Sequence, residues 1–384
     1  MPSLAILLIA ALLGQPSSPP EAPGQNNRGN RNGSMVTERF DQLDRNKDGV
    51  LTPDEIQRKA LFNRADANKD GKITREEAAA LVANARRQTE RTNQRRPNQP
   101  EQPDTAASGD SALQITRDVP YVTRPVDRER QSLDIYAHDT TTPKPVMIWI
   151  HGGGWSAGNK SNGAQAKAKL LAAQGLMLVS INYRLSPDVT HPSHIKDVAA
   201  AVAWVHDNID EYGGDPERIV IMGHSAGAHL AALVAADSRR LGFHRKSLGI
   251  IDAVILLDGA AYDLPTTLQG PNVAERTRLM HERWATANPR LQADASPIRK
   301  IRPNTDLPPF LILHIDRQAS AAQSQALAQT LQDAGGSAVV LVCPDDTHSS
   351  INTELGTPGH RATEAIQIVL EEITGRAEPA TPGR

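Results

Sequence analysis

The residue most clearly suited to covalent chemistry in this 384-residue chain is a serine between glycines. Ser225 lies at the centre of Gly223-His224-Ser225-Ala226-Gly227, which follows an apolar run and opens an alanine-rich segment. This context predicts a sharp strand-to-helix turn that raises the serine hydroxyl above a sheet, beside a helix N-terminus that favours negative charge. We therefore predict that Ser225 is a nucleophile. For the pentapeptide alone, a serine that caps a helix in a glycine turn is the alternative.

A second glycine-rich segment could stabilise the negative charge that such a nucleophile creates. His151-Gly152-Gly153-Gly154-Trp155 stands directly after an apolar run and exposes backbone N–H groups free of side chains. We predict an oxyanion hole formed by the N–H groups of Gly153, Gly154 and Ala226, each donor being worth ~10²–10³ in rate. A phosphate-binding loop is the competing interpretation, but the Lys-Ser/Thr pair that such a loop requires does not follow.

The general base and its acidic partner are expected in turns after the last strands. His348 follows the apolar run that ends near Val342, and we predict that it is the base. Asp316 lies two residues beyond the preceding run, where a carboxylate would orient the imidazole and stabilise its charged form. The order Ser225, Asp316, His348 fits a nucleophile-acid-base arrangement on a strand-turn-helix scaffold. Asp345 and Asp346 are the alternative acids.

Two tandem twelve-residue segments near the N-terminus have the oxygen spacing of calcium loops. Calcium binds six to eight oxygens, which alternating Asp and Asn side chains, a carbonyl at position seven and a bidentate Glu at position twelve can supply. Gly49 and Gly71 occupy position six, where the backbone must turn sharply. The predicted ligands are Asp44, Asn46, Asp48, Val50 and Glu55 in the first loop, and Asp66, Asn68, Asp70, Lys72 and Glu77 in the second.

These two loops resemble the EF-hand family, and the resemblance implies a small all-α module that binds calcium. The loops begin at Asp44 and Asp66, only 22 residues apart, so one helix would leave the first loop and enter the second. We expect this shared helix to place the loops at its opposite ends rather than side by side. Such an arrangement favours a structural or tethering role over a cooperative calcium sensor, with the calcium not catalytic.

The elements that must position Ser225 and His348 alternate between short apolar runs and longer helical patterns. Runs of four to seven residues rich in Val, Ile and Leu suit strands buried on both faces of a parallel sheet. Alternation of strand and helix predicts a three-layer α/β domain. The predicted strands are 146–150, 176–182, 219–222, 253–257, 310–314 and 338–342, and the predicted helices are 164–173, 195–209, 226–235, 321–334 and 362–373.

Composition divides the chain into two folded units joined by a spacer. Two stretches rich in Pro, Gly, Asn or Arg have almost nothing to bury. The apolar run within residues 1–14 has the length of a secretory signal segment, which predicts export, with a short hydrophobic tail on a cytoplasmic protein as the alternative. The expected segments are a signal peptide at 1–14, spacers at 15–34 and 88–112, the calcium module at 35–87, the α/β domain at 113–376 and a frayed tail at 377–384.

Charge and cysteine content exclude several classes of function. The formal net charge is −2, so the chain has no overall basic field to attract nucleic acid. No segment approaches the ~20 consecutive apolar residues of a membrane-spanning helix. The single cysteine, Cys343, ends an apolar run and cannot form an intramolecular disulfide, so we interpret it as a buried structural residue.

About 260 residues resemble α/β-hydrolases of the HGGG carboxylesterase group, including acetyl and feruloyl esterases and enzymes similar to kynurenine formamidase. The resemblance implies an α/β-hydrolase fold, a serine hydrolase activity and a Ser-His-Asp triad. In that family the acid usually stands in an HGxxD segment, whereas this chain has Gln318 at the acid's position, so we assign the role to Asp316. The residues that carry the resemblance are His151–Trp155, Asn182–Leu185, Gly213–Pro216, Gly223–Ala228, Pro308–Phe310 and Thr347–Asn352.

Three functions are compatible with this sequence. The first is an esterase for short acyl groups, whose substrate would be a small ester or, as the resemblance implies, acetyl or feruloyl groups on a polysaccharide. The second is a formamidase or amidase, because amide hydrolysis passes through the same kind of oxyanion. The third is a calcium-dependent binding protein with an inactive hydrolase domain. About fifty residues between Leu257 and Pro309 are enough for a modest cap, which predicts an open, shallow pocket.

Overall fold

A computed structural model of the chain describes residues 44, 46–52, 68–78, 113–137, 142–270, 273–303 and 305–375. The chain divides into two compact units, Met1–Asp110 and Ser111–Arg384. The predicted signal segment, both spacers, the tail, and the calcium ligands Glu55 and Asp66 lie outside the described residues.

An eight-stranded, mostly parallel sheet forms the centre of the larger unit. Its strands lie in the order β1-β2-β4-β3-β5-β6-β7-β8, with β2 antiparallel to both β1 and β4 and all other pairs parallel. This sheet confirms the predicted α/β-hydrolase fold. The strands are β1 Gln114–Pro120, β2 Ser132–Ala137, β3 Lys144–Ile150, β4 Met177–Ile181, β5 Gly214–His224, β6 Ala253–Leu257, β7 Phe310–Ile315 and β8 Ala338–Cys343.

Helices follow most of the parallel strands and connect each to the next. Short 3₁₀ turns occur at Ile209–Tyr212, Leu248–Ile250 and Pro297–Arg299. The α-helices of this unit are α1 Ala164–Ala173, α2 Ser193–Asn208, α3 Ala226–Ala236, α4 Ser238–Gly242, α5 Leu264–Gln269, α6 Glu275–Ala285, α7 Pro289–Asp294, α8 Gln318–Asp333, α9 Ser350–Thr353 and α10 Arg361–Thr374.

The predicted strands are buried because the sheet is covered on both faces. Every residue of β4 and β6 is buried, as the uninterrupted apolar runs of these segments require. Helix α3 is buried along its whole length and packs against β5 and β6. The helix is rich in alanine, whose small side chain allows it to pack closely against the sheet.

The sequence pattern did not predict the two antiparallel strands at the sheet edge. Strand β1 is mostly exposed, and β2 contains a buried acid, Asp134, within its apolar pattern. The Lys160 ammonium lies 2.7 Å from a carboxylate oxygen of Asp134, and the backbone N–H of Asp118 donates to the same carboxylate at 2.9 Å. A buried charge is tolerated when it is paired and hydrogen-bonded in this way. These partners are distant in sequence, so periodicity alone does not reveal the strand.

None of the helices in the described part of the chain is long and apolar enough to cross a membrane. Cys343 is buried at the end of β8, in agreement with the structural role predicted for it.

Candidate active site and calcium loops

The turn that carries Ser225 is the sharp strand-to-helix elbow expected from its glycines. Strand β5 ends at His224 and α3 begins at Ala226, with Ser225 between them at φ 55°. A side chain at Gly223 would place its Cβ 2.4 Å from the Gly227 backbone, and one at Gly227 would lie 2.1 Å from the Ile150 carbonyl oxygen. Only glycine permits these approaches, so the local sequence fixes Ser225 at the carboxyl edge of the sheet.

His348 lies in the turn after β8, as the sequence predicted, and it contacts the serine. Its Nε2 is 3.0 Å from the Ser225 Oγ, although the two residues are 123 positions apart. The Nε2 of His224 donates a hydrogen bond to the His348 carbonyl oxygen at 2.7 Å. Burial lowers the pKa of His224 to about 4, so this neighbour is a neutral donor that holds the His348 backbone.

The acid that contacts His348 is Asp258, and the prediction of Asp316 is wrong. The Asp258 Oδ2 lies 2.6 Å from the Nδ1 of His348, and the Asp258 side chain is fully buried. Asp316 is exposed, as is the alternative acid Asp345. The other alternative, Asp346, is hydrogen-bonded to His360 and Ser350 instead.

The order of the strands explains why an acid after β6, in place of one after β7, can contact His348. Strands β6 and β7 are parallel neighbours, with Leu257 in register with Leu313. The carboxyl ends of both strands therefore reach the same edge of the sheet, and a carboxylate after either one can meet the histidine. Asp258 is the first residue after β6 and its N–H donates to the Leu313 carbonyl oxygen at 2.8 Å. An aspartate directly after a buried strand is a signal for a candidate acid, but Asp316 follows β7 just as Asp258 follows β6, so this signal does not separate the two.

The environment of Asp258 keeps its carboxylate ionised. Burial acts to raise its pKa, but hydrogen bonds from His348 and Ser320 and the positive charge of Arg317 oppose burial, and the pKa is lowered below its ordinary value. Asp258 can therefore accept the Nδ1–H of His348 and leave the Nε2 free to accept the serine proton.

The glycine loop after β3 carries two of the three predicted oxyanion donors, and both have a positive φ angle. Gly153 and Gly154 have φ angles of 115° and 58°. Within the part of the chain that the structure describes, their N–H groups donate no hydrogen bond. Ala226 is the first residue of α3, where a helix leaves its N–H without an internal partner. These three predicted donors flank the serine elbow, since a Cβ on the neighbouring Gly152 would lie 3.2 Å from the Ser225 Cβ.

Buried aromatic side chains fix the loop that contains Gly153 and Gly154. The His151 ring stacks on Tyr183 at 4.5 Å, and the Tyr183 hydroxyl donates to the His151 carbonyl oxygen at 3.0 Å. Trp155 stacks on Trp284 of α6 at 4.1 Å and donates from Nε1 to His229 of α3 at 3.2 Å. The sequence did not predict these contacts, which join the glycine loop to α3 and to the segment before β7.

In the smaller unit, the described part of the first calcium loop is folded around Asp44. This side chain is buried, and its two carboxylate oxygens accept the N–H groups of Asp48 and Gly49 at 3.1 and 2.8 Å. The Asn46 side chain accepts from Asp48, and the Asp48 side chain accepts from Val50. A buried carboxylate beside further side-chain oxygens fits a hard divalent cation such as calcium.

The second loop repeats this arrangement over its described residues. The Asn68 side chain accepts from the N–H of Asp70, whose carboxylate accepts from Lys72 at 2.9 Å. Glu77 reaches back across the loop, with its Oε1 accepting from the Asn68 N–H at 3.3 Å. The predicted position-twelve ligand thus lies against the same loop as the predicted position-three ligand.

The two loops lie side by side, so the expectation that they occupy opposite ends of one helix is wrong. Leu51 and Ile73, which both occupy position eight, form an antiparallel bridge with two 2.9 Å backbone hydrogen bonds. Their side chains are 2% and 1% exposed. The bridge buries two apolar residues and satisfies four backbone groups, and it holds the two loops against each other.

Comparison with known proteins agrees with both units. Residues 133–331 match the BD-FAE family model, and residues 36–58 and 59–80 match that of the EF hand. The esterase LipQ of Mycobacterium tuberculosis is 34% identical over 279 residues, which cover 70% of this chain and 65% of the relative. A probable carboxylic ester hydrolase of the same organism, LipM, is 34% identical over 264 residues and 60% of its own length. The chain therefore spans less than two thirds of the length of these curated relatives.

A solved structure supports the same assignment. The truncated form of a carbohydrate esterase from gut microbiota superposes with a TM-score of 0.58 at 25% identity, covering 70% of this chain and 98% of that one. The BD-FAE match includes both Ser225 and Asp258 and extends over half of the sequence. The chain belongs to the BD-FAE family of α/β-hydrolases.

Proposed function

We propose that the chain is a serine carboxylesterase that hydrolyses short acyl esters. The observation that supports this most directly is the continuous contact from Ser225 through His348 to Asp258, with distances of 3.0 and 2.6 Å. A fully buried carboxylate is costly unless it has such partners, so a chain without catalysis would have little reason to keep one behind a serine elbow. The names of the relatives, all esterases or ester hydrolases, favour ester substrates.

The mechanism follows from the roles of these groups. His348 accepts the proton of the Ser225 hydroxyl at Nε2 while Oγ attacks the ester carbonyl carbon, and the carbonyl oxygen becomes an oxyanion. The N–H groups of Gly153, Gly154 and Ala226 stabilise that oxyanion. His348 then donates its proton to the leaving alcohol, and an acyl-serine remains. Water attacks this acyl group with His348 again as base, which releases the acid and restores Ser225.

A fluorophosphonate probe tests the nucleophile directly. Incubation of the full chain with the probe, followed by proteolysis and peptide mass analysis, should place the label on Ser225. Prior addition of a short-chain aryl ester should slow labelling, because ester and probe compete for one hydroxyl. A chain that neither reacts with the probe nor turns over any ester would refute the proposal and favour the inactive binding protein. Faster turnover of N-formylkynurenine than of every ester would favour the formamidase alternative.

The acyl preference should be for short chains. In its described part, the region between β6 and β7 contributes the helices α5, α6 and α7 and the 3₁₀ turn Pro297–Arg299, which we interpret as a modest cap over a shallow pocket. We expect kcat/KM to fall steeply from p-nitrophenyl acetate and butyrate to the palmitate, because a shallow pocket cannot bury a long chain. Release of acetate or ferulate from an esterified polysaccharide would extend the preference to glycans, a possibility that the likeness to a carbohydrate esterase supports. A preference for palmitate would contradict the shallow pocket.

We further propose that the tandem loops bind two calcium ions that do not take part in catalysis. The side-by-side pairing of Leu51 with Ile73 couples the loops, so the second calcium should bind more tightly than the first. Calorimetric titration of the full chain should give a stoichiometry near two, and Glu77→Gln should weaken binding at both sites. The matched exchange Glu76→Gln, at an adjacent position outside the ligand set, should leave binding unchanged. Strong loss of esterase activity in chelator would contradict a non-catalytic role.

Export of the chain is also a proposal, supported by the apolar run within residues 1–14. Fractionation of cells that express the full chain, combined with N-terminal sequencing of the recovered protein, tests this. Recovery of an uncleaved chain in the cytoplasm alone would refute it.

A further inference from the structure

The start of helix α8 is packed against the turn that carries Asp258. Three side chains spaced three residues apart lie near this turn: Arg317, which directly precedes the helix, and Ser320 and Gln323 within its first two turns. The Arg317 Nη2 lies 3.4 Å from the Asp258 Oδ2, the same oxygen that contacts His348. Gln323 donates from Nε2 to the carbonyl oxygen of Gly259 at 3.1 Å. The segment after β7, where the family's acid usually stands, therefore contacts the acid turn of the neighbouring strand.

Arg317 is itself held in place by Ser320. The Arg317 Nη2 and Nε donate to the Ser320 Oγ at 2.7 and 3.1 Å, and Ser320 is fully buried. Because the hydroxyl oxygen accepts twice from Arg317, its own hydrogen is free to point toward Asp258. A guanidinium fork is suited to this geometry, since its planar N–H groups can engage two acceptors at fixed angles.

Arg317 places a permanent positive charge beside Asp258, whereas several other titratable groups near Asp258 and His348 are uncharged. Burial lowers the pKa of His224 to about 4 and raises those of Cys343, to about 12, and of Tyr262, so these three groups are neutral near pH 7. Lys167, on α1, lies over the ring of Trp149 at 4.3 Å, and burial lowers its pKa to about 8. The acids that precede His348 in its loop are Asp345 and Asp346.

We propose that Arg317 and Ser320 are positioning residues for the triad: they orient Asp258 toward His348 and hold its carboxylate charged. This inference rests on the proposed function, because it assigns a role to groups that act through the proposed acid. The acid of this chain lies after β6 rather than after β7. The segment after β7 instead supplies Arg317 and Ser320, which contact each other beside the Asp258 carboxylate. Arg317 does not touch the reacting serine and is not itself a catalytic residue.

The test compares Arg317→Gln and Arg317→Lys with wild type in full pH profiles of kcat/KM. Loss of the positive charge beside the Asp258–His348 pair favours the protonated imidazole, so Arg317→Gln should move the acidic limb to higher pH by about half a unit. It should also lower the plateau roughly tenfold, because the acid is less well oriented. Arg317→Lys keeps the charge but lacks the planar fork that engages Asp258 and Ser320 together. The acidic limb of its kcat/KM profile should therefore stay close to wild type, while the plateau value of kcat/KM remains reduced.

Two further variants distinguish the orientation of Asp258 from the charge beside it, and from general effects of changing the segment after β7. Ser320→Ala removes the anchor of the guanidinium but no charge, and it should lower the plateau by several-fold with a smaller movement of the limb. Asp316→Asn changes the charge of an exposed neighbour in the same turn and should match wild type in both quantities. Thermal unfolding of each variant reports on folding.

A second readout needs no substrate. The proton between the His348 Nδ1 and Asp258 should give a far-downfield proton NMR resonance. The midpoint pH at which this resonance titrates should be higher in Arg317→Gln than in wild type. This titration remains informative even if no ester is hydrolysed, so a failure of the proposed esterase activity is distinguishable from a failure of this inference. Arg317→Gln with an unchanged acidic limb and an unchanged resonance would overturn the proposal. A lower unfolding temperature with both titrations unmoved would reduce Arg317 to a structural residue and also overturn it.

Discussion

Asp258→Asn is expected to lower kcat/KM for a short aryl ester by about 10⁴-fold. The asparagine side chain has nearly the size of aspartate and should fit the buried site, but it carries no charge to stabilise the imidazolium. If its amide N–H₂ faces His348, the ring must present an unprotonated Nδ1. The remaining proton then lies on Nε2 and points at Ser225, where the base should accept a proton instead.

The control for this experiment is Asp316→Asn. Asp316 is exposed and lies after the neighbouring strand, so the same change in charge should leave kcat/KM within about twofold of wild type. Circular dichroism and thermal unfolding should confirm that Asp258→Asn is folded. If Asp316→Asn lost the greater share of activity, the acid would be Asp316 and the contact between Asp258 and His348 would be only structural.

Ser225→Ala is expected to have the largest effect of any single change, a loss of about 10⁶-fold in kcat. The substitution removes the Oγ that forms the acyl intermediate while leaving His348, Asp258 and the glycine loop in place. Any residual rate would come from water attacking an ester held by the oxyanion N–H groups. Fluorophosphonate labelling should disappear with the activity.

A serine outside the site provides the matched control for Ser225→Ala. Ser247 is exposed in the loop before β6, and Ser247→Ala should retain wild-type turnover and labelling. Ser225→Ala should still unfold at a temperature close to wild type, because alanine is no larger than serine at this elbow. Turnover of Ser225→Ala at the wild-type rate would require another nucleophile and would refute the assignment of the triad.

The parts of the site that the sequence predicted depend on short stretches of chain. Ser225 is recognisable because the elbow places glycines at fixed positions on either side of it, and Gly223 is needed for the close approach to the Gly227 backbone within the elbow itself. The glycines after β3 expose backbone N–H groups whatever the rest of the chain does. The calcium ligands repeat at a fixed spacing within twelve residues, and the buried strands appear as apolar runs. Each of these features is local, so the sequence alone contains the physical reason for it.

The identity of the acid and the pairing of the calcium loops depended on the tertiary structure. Asp258 and Asp316 both follow buried strands, and the choice between them depends on which turn places a carboxylate within reach of His348. That distance is set by the order of β6, β7 and β8 in the sheet, which no local pattern encodes. Leu51 and Ile73 likewise each look like an ordinary apolar anchor until the fold joins them in one bridge. The sequence by itself determined which groups can react and which oxygens can bind calcium, whereas the packing of distant segments decided which carboxylate serves His348 and which loop lies beside which.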